Sequence, residues 1–358
     1  MLPAYAFGFD YGNAETCGYL IENSVKRARV LPSATALGSL SELAEKRSAL
    51  GDTYARPVDA LKSDEYVIEI GGSEYFVGAL ALNDVRASST GRGDVNRYWS
   101  PKSLAVLLTV SGIMIQEATY ELYVVTGLPI ETFTKDNREK VKSALDGEHD
   151  FVLNGRKRRA IVHVVRVVME GAGAMIVYGK NEDVLQGVID VGGRTTDLYV
   201  AQGQKTQVEM CKGKPLGVES IADLVSAKFS IKYNRPLTGR ETRKLLRAYL
   251  TDSNYPVIQA YGVRPEKDLL QAWIETSIKD VAQEIISFVS STWNASERGA
   301  VAADIAPVLL IGGGAYYFQK ALIARVPHLI VPMRPETANA EGYLALANVL
   351  MNKIKAVA

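Results

Sequence analysis

Apolar residues fall along this chain in two patterns, short continuous runs and longer stretches at helical spacing. The short runs predict buried strands, and two of them, Val188-Ile189 and Leu198 to Val200, lie on either side of a glycine pair. This arrangement predicts a hairpin with Gly192-Gly193 at its tip. The apolar positions from Leu269 to Val289 fall largely on one face of a helix. The hydrophobic pattern therefore predicts a chain that contains both strands and helices.

Polar residues around the predicted glycine tip suit the binding of a phosphate group. Glycines lack a Cβ, so the backbone N–H groups at such a tip can approach an anion closely. The hydroxyls of Thr195 and Thr196 add donors, and the carboxylates of Asp190 and Asp197 can hold a hydrated cation beside the phosphates. We therefore predict a phosphate site with its own metal partner.

A second copy of this motif lies near the start of the chain. At an offset of 180 positions, the matching pairs are Asp10 with Asp190, Gly12 with Gly192, Thr16 with Thr196 and Tyr19 with Tyr199. A strand that ends in a glycine turn follows each copy, Val124 to Pro129 in the first half and Val308 to Gly314 in the second. The sequence therefore predicts two similar halves, each with a phosphate hairpin.

Glu170 lies where an apolar strand gives way to small residues, twenty positions before Asp190. A carboxylate at a strand end beside a phosphate can orient or deprotonate an attacking water. The segment alone favours a simpler interpretation, in which Glu170 precedes a helix and is stabilised by the helix dipole.

Two polar segments have a simple and a functional interpretation. The pair Asn154-Gly155 predicts a tight hairpin, and the four basic residues Arg156 to Arg159 follow it. Such a basic run can bind nucleic acid, but at a hairpin tip it is more often solvated. The polar stretch Ser88 to Asn96 is typical of an exposed loop, which could also contact a partner.

Composition excludes several classes of protein. The chain has 358 residues, 47% of them hydrophobic, which is enough for two packed cores. It carries 41 basic and 40 acidic residues, a net charge of +1, so we expect no direct binding of nucleic acid. Two cysteines are too few for a disulfide framework, and no apolar run is long enough to cross a membrane. We expect a cytoplasmic protein without membrane contact.

Five segments of this chain occur in an order that resembles the pattern of one superfamily. They are the two predicted phosphate hairpins, the Glu170 segment, the strand end at Gly312-Gly313-Gly314 and a second small-residue segment at Asn339 to Tyr343. This is the superfamily of actin, DnaK-type chaperones and sugar kinases, and the chain is most similar to the bacterial and archaeal ParM or StbA type of actin. The resemblance implies an α/β fold with two similar RNase H-like domains and a nucleotide cleft between them. It assigns residues 1–168 and 336–358 to domain I, with a small peripheral subdomain at about 32–100, and residues 169–335 to domain II.

The resemblance also implies roles for individual residues. Asp10 and Asp190 would hold Mg²⁺ through water. The catalytic residues would be Glu170 and Asp190, with Glu170 positioning the hydrolytic water. The residues expected to contact ATP or ADP are Asp10, Gly12, Asn13, Thr16, Gly192, Gly193, Arg194, Thr195, Thr196, Gly217, Gly312, Gly313 and Gly314.

One position departs from the pattern of this superfamily. Many relatives place a lysine seven positions after the first aspartate, where its ammonium group reaches the phosphates, but this chain has Cys17 there. Arg194, inside the second hairpin, could supply the missing charge or could point into solvent.

The resemblance implies an ATPase whose ATP-bound subunits assemble into filaments that weaken after hydrolysis. In relatives of this type the filaments move plasmid DNA through a separate adaptor protein, so the expected partners are further copies of the chain and an adaptor. Two alternatives remain on the same fold. One is a small-molecule kinase that acts on a sugar or on acetate, and the other is a scaffold that binds nucleotide without hydrolysing it.

Overall fold

The computed structural model describes residues 2–54, 56–84, 95–180, 183–293 and 301–357. The predicted loop Ser88 to Asn96 lies mostly outside these residues. The chain divides into two compact units. The first comprises Met1–Val177 and Asn339–Ala358, and the second comprises Tyr178–Ala338.

The first unit is built on a mixed sheet. Its strands are β1 (Ala4–Tyr11), β2 (Glu15–Glu22), β3 (Val25–Pro32), β4 (Thr35–Leu37), β5 (Tyr66–Ile70), β6 (Ser73–Val77), β7 (Thr119–Leu128), β8 (Gly147–Leu153) and β9 (Arg156–Met169). Among the described residues the sheet order is β3-β2-β1-β7-β9-β8-β5-β6-β4. Strands β1, β7 and β9 are mutually parallel, so their carboxyl ends share one edge of the sheet.

Helices cover the faces of this sheet. They are α1 (Leu40–Ser48), α2 (Ala79–Leu82), α3 (Pro101–Met114), α4 (Lys135–Leu145) and α5 (Ala172–Tyr178). Helix α3 is apolar nearly all round and lies inside the unit, because Leu107 and Leu108 are fully buried together with Phe7, Phe9 and Tyr120.

The segment predicted as a small peripheral subdomain is joined to the main sheet. Strands β5 and β6 form a hairpin that turns at Gly71-Gly72, and β5 also pairs with β8 through Ile68 to Ile70. Residues 32–84 therefore extend the sheet of the first unit.

The second unit has its own sheet and helices. The strands are β10 (Leu185–Val191), β11 (Thr196–Gln202), β12 (Lys205–Thr206), β13 (Lys212–Lys214), β14 (Val308–Ile311) and β15 (Leu329–Ile330), and the helices are α6 (Val218–Tyr233), α7 (Gly239–Leu250), α8 (Lys267–Thr292) and α9 (Ala315–Ile323). Within the described residues the order is β12-β11-β10-β14-β15, with β13 paired to β11. Helix α8 confirms the helix predicted over Leu269 to Val289.

The last helix, α10 (Ala338–Val357), belongs almost wholly to the first unit. Its Gly342 approaches α5 so closely that a Cβ there would lie 1.8 Å from the carbonyl oxygen of Gly173. Tyr343 and Leu344 are buried against Ala6 and Val125. In the described part of the chain, no helix combines the length and the apolar character needed to span a bilayer.

Candidate functional site

The first hairpin forms a tight turn at the shared edge of the parallel strands. Asp10 in β1 lies opposite Cys17 in β2, and the turn follows at Gly12 and Asn13, which are partly exposed. A Cβ at Gly12 would come within 2.5 Å of the carbonyl oxygen of Glu15, so the turn requires glycine. The predicted hairpin is therefore present, with its backbone accessible at the tip.

Thr16 supports this hairpin from inside. Its side chain is fully buried, and its Oγ1 lies 2.6 Å from the Oγ of Ser33. The hydroxyl thus ties β2 to the segment that follows β3, and the structure places it in the core of the unit.

Asp10 has an unusual electrostatic environment. Loss of hydration through burial raises the pKa of its carboxyl group to about 7, and the nearby charge of Arg97 opposes this rise. Cys17, where a lysine was expected from related proteins, is buried in an apolar cluster with Tyr343 and Leu344. Position 17 therefore supplies no cation to Asp10.

The cation beside Asp10 comes from Arg97, in a short 3₁₀ turn (Val95–Trp99). Its guanidinium is 4% exposed, stacks on the rings of Tyr11 and Tyr98 at 4.7 and 4.5 Å from their centroids, and donates to the carbonyl oxygen of Tyr11. Burial lowers the pKa of Arg97, but Tyr98, Tyr11 and Glu170 together raise it above its ordinary value, so the group stays charged. Its Nε is buried and has no hydrogen-bond partner in the described structure.

Glu170 lies immediately after β9, at the same sheet edge as Asp10. Its backbone N–H donates to the carbonyl oxygen of Leu128 at 2.9 Å, which extends the parallel pairing of β9 with β7. The following N–H, of Gly171, donates to Oδ1 of Asn339 at 3.1 Å. Glu170 is 9% exposed and interacts electrostatically with Arg97. The fold therefore brings Asp10, Arg97 and Glu170 together within the first unit.

The second hairpin repeats this design in the second unit. Asp190 in β10 lies opposite Asp197 in β11, and both carboxylates are buried. Thr196 is fully buried and donates its hydroxyl to the carbonyl oxygen of Leu216 at 2.7 Å, while Thr195 stays partly exposed. Thr196 therefore holds the second hairpin from inside, as Thr16 holds the first.

Gly217 fixes the start of α6 against the tip of this hairpin. The N–H of Val218 donates to the carbonyl oxygen of Gly192 at 3.2 Å, and that of Glu219 donates to Gly193 at 2.7 Å. A Cβ at Gly217 would lie 2.7 Å from both of those carbonyl oxygens. The helix and the hairpin tip can approach this closely only with glycine at position 217.

Arg194 is held by a neighbour within the unit. Its Nε donates to Oε2 of Glu219 at 2.8 Å, and its side chain is 15% exposed. This ion pair excludes the interpretation in which Arg194 extends into solvent.

The three glycines after β14 adjoin Asp190. Gly312 has φ of +80°, and a Cβ on it would lie 2.4 Å from the carbonyl oxygen of Val191 and 2.5 Å from Oδ1 of Asp190. A Cβ on Gly314 would contact Val191 at 2.4 Å, whereas one on Gly313 would meet no atom within 4 Å. Gly313 therefore leaves open space above the strand end.

Two residues of the candidate site, Arg97 and Glu219, were not predicted from the sequence. Arg97 lies near a polar loop, far along the chain from Asp10 and Glu170, so no spacing relates the three residues. Glu219 has a local signal, because it is an acidic residue in the first turn of α6, only two positions after Gly217.

Each half of the chain matches a family model of actin-related proteins. Residues 8–173 match the family model for the N-terminal domain of actin like proteins, and residues 188–324 match that for the archaeal actin homologue MreB-like, C-terminal. No curated protein matches the chain by sequence.

Solved structures share the fold over nearly the full chain. A 15-stranded ParM filament from Clostridium botulinum has a TM-score of 0.75 at 21% identity, covering 97% of this chain and 100% of that one. The archaeal actin homolog Ta0583 has a TM-score of 0.74 at 18% identity, covering 98% and 100%. ParM from Bacillus thuringiensis with AMPPNP has a TM-score of 0.65 at 14% identity, covering 98% and 99%. With an α/β unit in each half and a family match in each, the chain belongs to the actin-like superfamily.

Proposed function

We propose that this protein binds ATP, hydrolyses it and assembles into filaments in a nucleotide-dependent way. The observation that carries the proposal is the duplication of one hairpin design, in which an aspartate at a strand end precedes a partly exposed glycine turn, at Asp10 and again at Asp190. Two relatives of known structure support it, since one is a ParM filament and another is Ta0583 in complex with ADP.

The described residues fit a nucleotide. The turns at Gly12-Asn13 and at Gly193 are partly exposed, so phosphates can approach their backbone. The N–H of Gly192 donates to the carbonyl oxygen of Thr195 at 2.9 Å and holds the second turn closed. Gly313 offers room for the base or the ribose. Asp10 and Asp190 would hold Mg²⁺ through water, and the ion would neutralise part of the phosphate charge. Thr16 and Thr196 contribute by fixing the two hairpins, since their hydroxyls are bonded within the units.

Glu170 is the residue that we assign to water activation. It lies at the sheet edge that carries Asp10, and its backbone is fixed on both sides by hydrogen bonds. A carboxylate so held can accept a proton from a water molecule and orient it for attack. Arg97 supplies positive charge between the two carboxylates, in the role that a lysine at position 17 plays in relatives.

Filament assembly gives such an ATPase its mechanical role. We propose that hydrolysis weakens the contacts between subunits and that the filaments act in the cytoplasm. The net charge of +1 suits indirect attachment of cargo, so plasmid DNA would be moved through an adaptor protein.

The test is right-angle light scattering of the purified protein after addition of ATP and Mg²⁺, with phosphate release followed in the same sample. We expect scattering to rise above a critical concentration and to decay as phosphate appears. Phosphoryl transfer to a sugar, acetate or glycerol with flat scattering would instead identify a small-molecule kinase. Retention of ATP without phosphate release would identify a scaffold.

The role of Glu170 is tested by Glu170→Gln, with Glu139→Gln on the exposed face of α4 as the matched control. We expect Glu170→Gln to assemble but to release phosphate about 10²-fold or more slowly, as is typical for loss of a general base. Equal phosphate release by both variants would remove Glu170 from the mechanism.

A further inference from the structure

The first unit contains a cavity at the carboxyl end of α3, away from the hairpin turn. Its volume is about 980 Å³, and its walls come from β3, from β5 and the segment before it, and from the β8–β9 hairpin. The hydrogen bond from Nη2 of Arg29 in β3 to the hydroxyl of Tyr66 in β5, 2.6 Å long, joins two of these walls. This volume lies at the upper end of the range for small-molecule sites.

Four arginines line the cavity, Arg27, Arg29, Arg156 and Arg158, and no carboxylate is among its described lining residues. Two of the four belong to the basic run after Asn154-Gly155. Successive side chains along a β-strand point to opposite faces of the sheet. Arg156 and Arg158 therefore line the cavity, whereas Arg159 pairs with Glu148 on the other face of the hairpin.

Most of this positive charge is not neutralised by protein groups. Arg27 pairs with Glu22. Arg158 donates to the carbonyl oxygens of Ile115 and Glu117 at 3.0 and 3.2 Å, just past the end of α3. Neither these carbonyls nor the Tyr66 hydroxyl that Arg29 contacts carries a full negative charge.

Arg29, Arg156 and Arg158 form no ion pair in the part of the chain that the structure describes. A ligand that reaches all three would thus meet about three uncompensated positive charges.

The rest of the lining narrows the class of ligand. The partly exposed side chain of Val58 provides apolar surface for an organic framework, whereas Met114 and Leu153 are almost fully buried in the cavity wall. The one aromatic residue among the described lining residues, Tyr66, is 5% exposed, so no ring is open for stacking. Single-stranded nucleic acid is usually bound by stacking its bases on aromatic rings, and this cavity lacks that feature.

We propose that this cavity binds a small, non-aromatic organic molecule that carries two phosphate groups. A compact ligand with two phosphate groups carries a charge of about −3 to −4 at neutral pH. This negative charge balances the positive charge of the three guanidinium groups. The planar, forked guanidinium binds phosphate oxygens bidentately, so several arginines around one cavity suit this ligand. The site is separate from the proposed ATP-binding residues.

The test is calorimetric titration with fructose 1,6-bisphosphate, in the presence of saturating ADP and Mg²⁺ to occupy nucleotide-binding residues. The matched variants are Arg156→Gln and Lys157→Gln, which remove the same charge from neighbouring exposed positions of β9. We expect the native protein to bind and Arg156→Gln to weaken binding about tenfold or more. Lys157→Gln should stay within about twofold of the native affinity.

Equal weakening by both variants would show a diffuse charge effect and overturn the proposal. Vesicles that contain phosphatidylinositol 4,5-bisphosphate form a second arm. Arg156-dependent binding to these vesicles, with weaker binding of the soluble bisphosphate, would identify a lipid headgroup as the source of the same chemistry. Failure of the native protein to bind either probe would overturn the proposal, as would Arg156-dependent binding of a single-stranded oligonucleotide in place of the bisphosphate.

Discussion

At the scale of single residues, neighbouring glycines in the 312–314 run have different physical roles. Gly312 has a positive φ and touches Val191 and Asp190, whereas Gly313 faces open space. The three glycines are identical in the sequence. The role of each one therefore depends on which atoms the fold places next to it.

This difference gives a stability prediction. Gly312→Ala should lower the free energy of unfolding by about 1–3 kcal/mol, because the new Cβ meets a carbonyl oxygen and a carboxylate in a strained backbone region. Gly313→Ala should change it by less than about 0.5 kcal/mol. Urea denaturation of both variants without nucleotide checks this, and equal destabilisation would contradict the described geometry.

Arg97 gives a second prediction at this scale. Arg97→Gln removes the positive charge that faces Asp10 and Glu170, so bound phosphates lose a cation and ATP affinity should fall about tenfold or more. Arg138→Gln, which removes an arginine stacked on Phe133 in the same unit, serves as the control. Calorimetric titration with ATP and Mg²⁺ measures both, and unchanged affinity in Arg97→Gln would remove Arg97 from the nucleotide site.

The site could be predicted from sequence only where its residues are neighbours in the chain. Asp10 and Gly12 share one turn, as do Asp190 and Gly192, and the repeat made them visible. Arg97 joins Asp10 only when the turn Val95–Trp99 packs against Tyr11 at the end of β1, so its place depends on tertiary structure. The buried positions of Thr16 and Thr196 could not be foreseen for the same reason.

At the scale of elements, the start of α7 shows how one ion pair fixes a helix. Arg235 donates to both carboxylate oxygens of Glu241, at 3.1 and 2.8 Å. Glu241 and Thr238 also form a capping box, in which each side chain accepts from the backbone N–H of the other residue. The hydrogen bonds from Arg235 are the largest cause of the low pKa of Glu241, which is about 2.

This pKa predicts a pH-dependent stability. The folded-state value lies below the ordinary 4.5, so the charged carboxylate stabilises the fold above about pH 4.5, and the contribution is lost as pH falls toward 2. Glu241→Gln should therefore cost about 1–2 kcal/mol at pH 7 and progressively less below pH 4.5. Urea denaturation from pH 7 to pH 3.5 measures the difference, and a gap independent of pH would show that the charge is not responsible.

The elements themselves were predictable where a local signal was strong. The glycine tip between two apolar runs predicted the β10–β11 hairpin, its repeat near the start of the chain predicted the β1–β2 hairpin, and Asn154-Gly155 predicted the turn between β8 and β9. The order of strands was not predictable, because β5 reaches β8 across more than 80 positions of sequence. The segment 32–84 is polar in sequence, yet its pairing through β5 makes it part of the main sheet of the first unit.

At the scale of the whole molecule, the chain ends in the unit where it began. Helix α10 belongs to the first unit, where Tyr343 and Leu344 are buried against β1 and β7. Burial of two such side chains is worth about 3–6 kcal/mol, which is comparable to the stability of a whole domain. The first unit should therefore depend on the last twenty residues of the chain.

We predict that truncation after Ala338 destabilises the first unit selectively. Hydrogen exchange followed by mass spectrometry should show lost protection in β1 and β7, because their cover of buried apolar side chains is gone. Protection in β10 and β14 should remain, because their core is formed within the second unit. A matched point variant, Gly342→Val, should weaken the same strands to a smaller extent, since its side chain would collide with the carbonyl of Gly173. Equal loss of protection in both units would show instead that the two units unfold as one cooperative body.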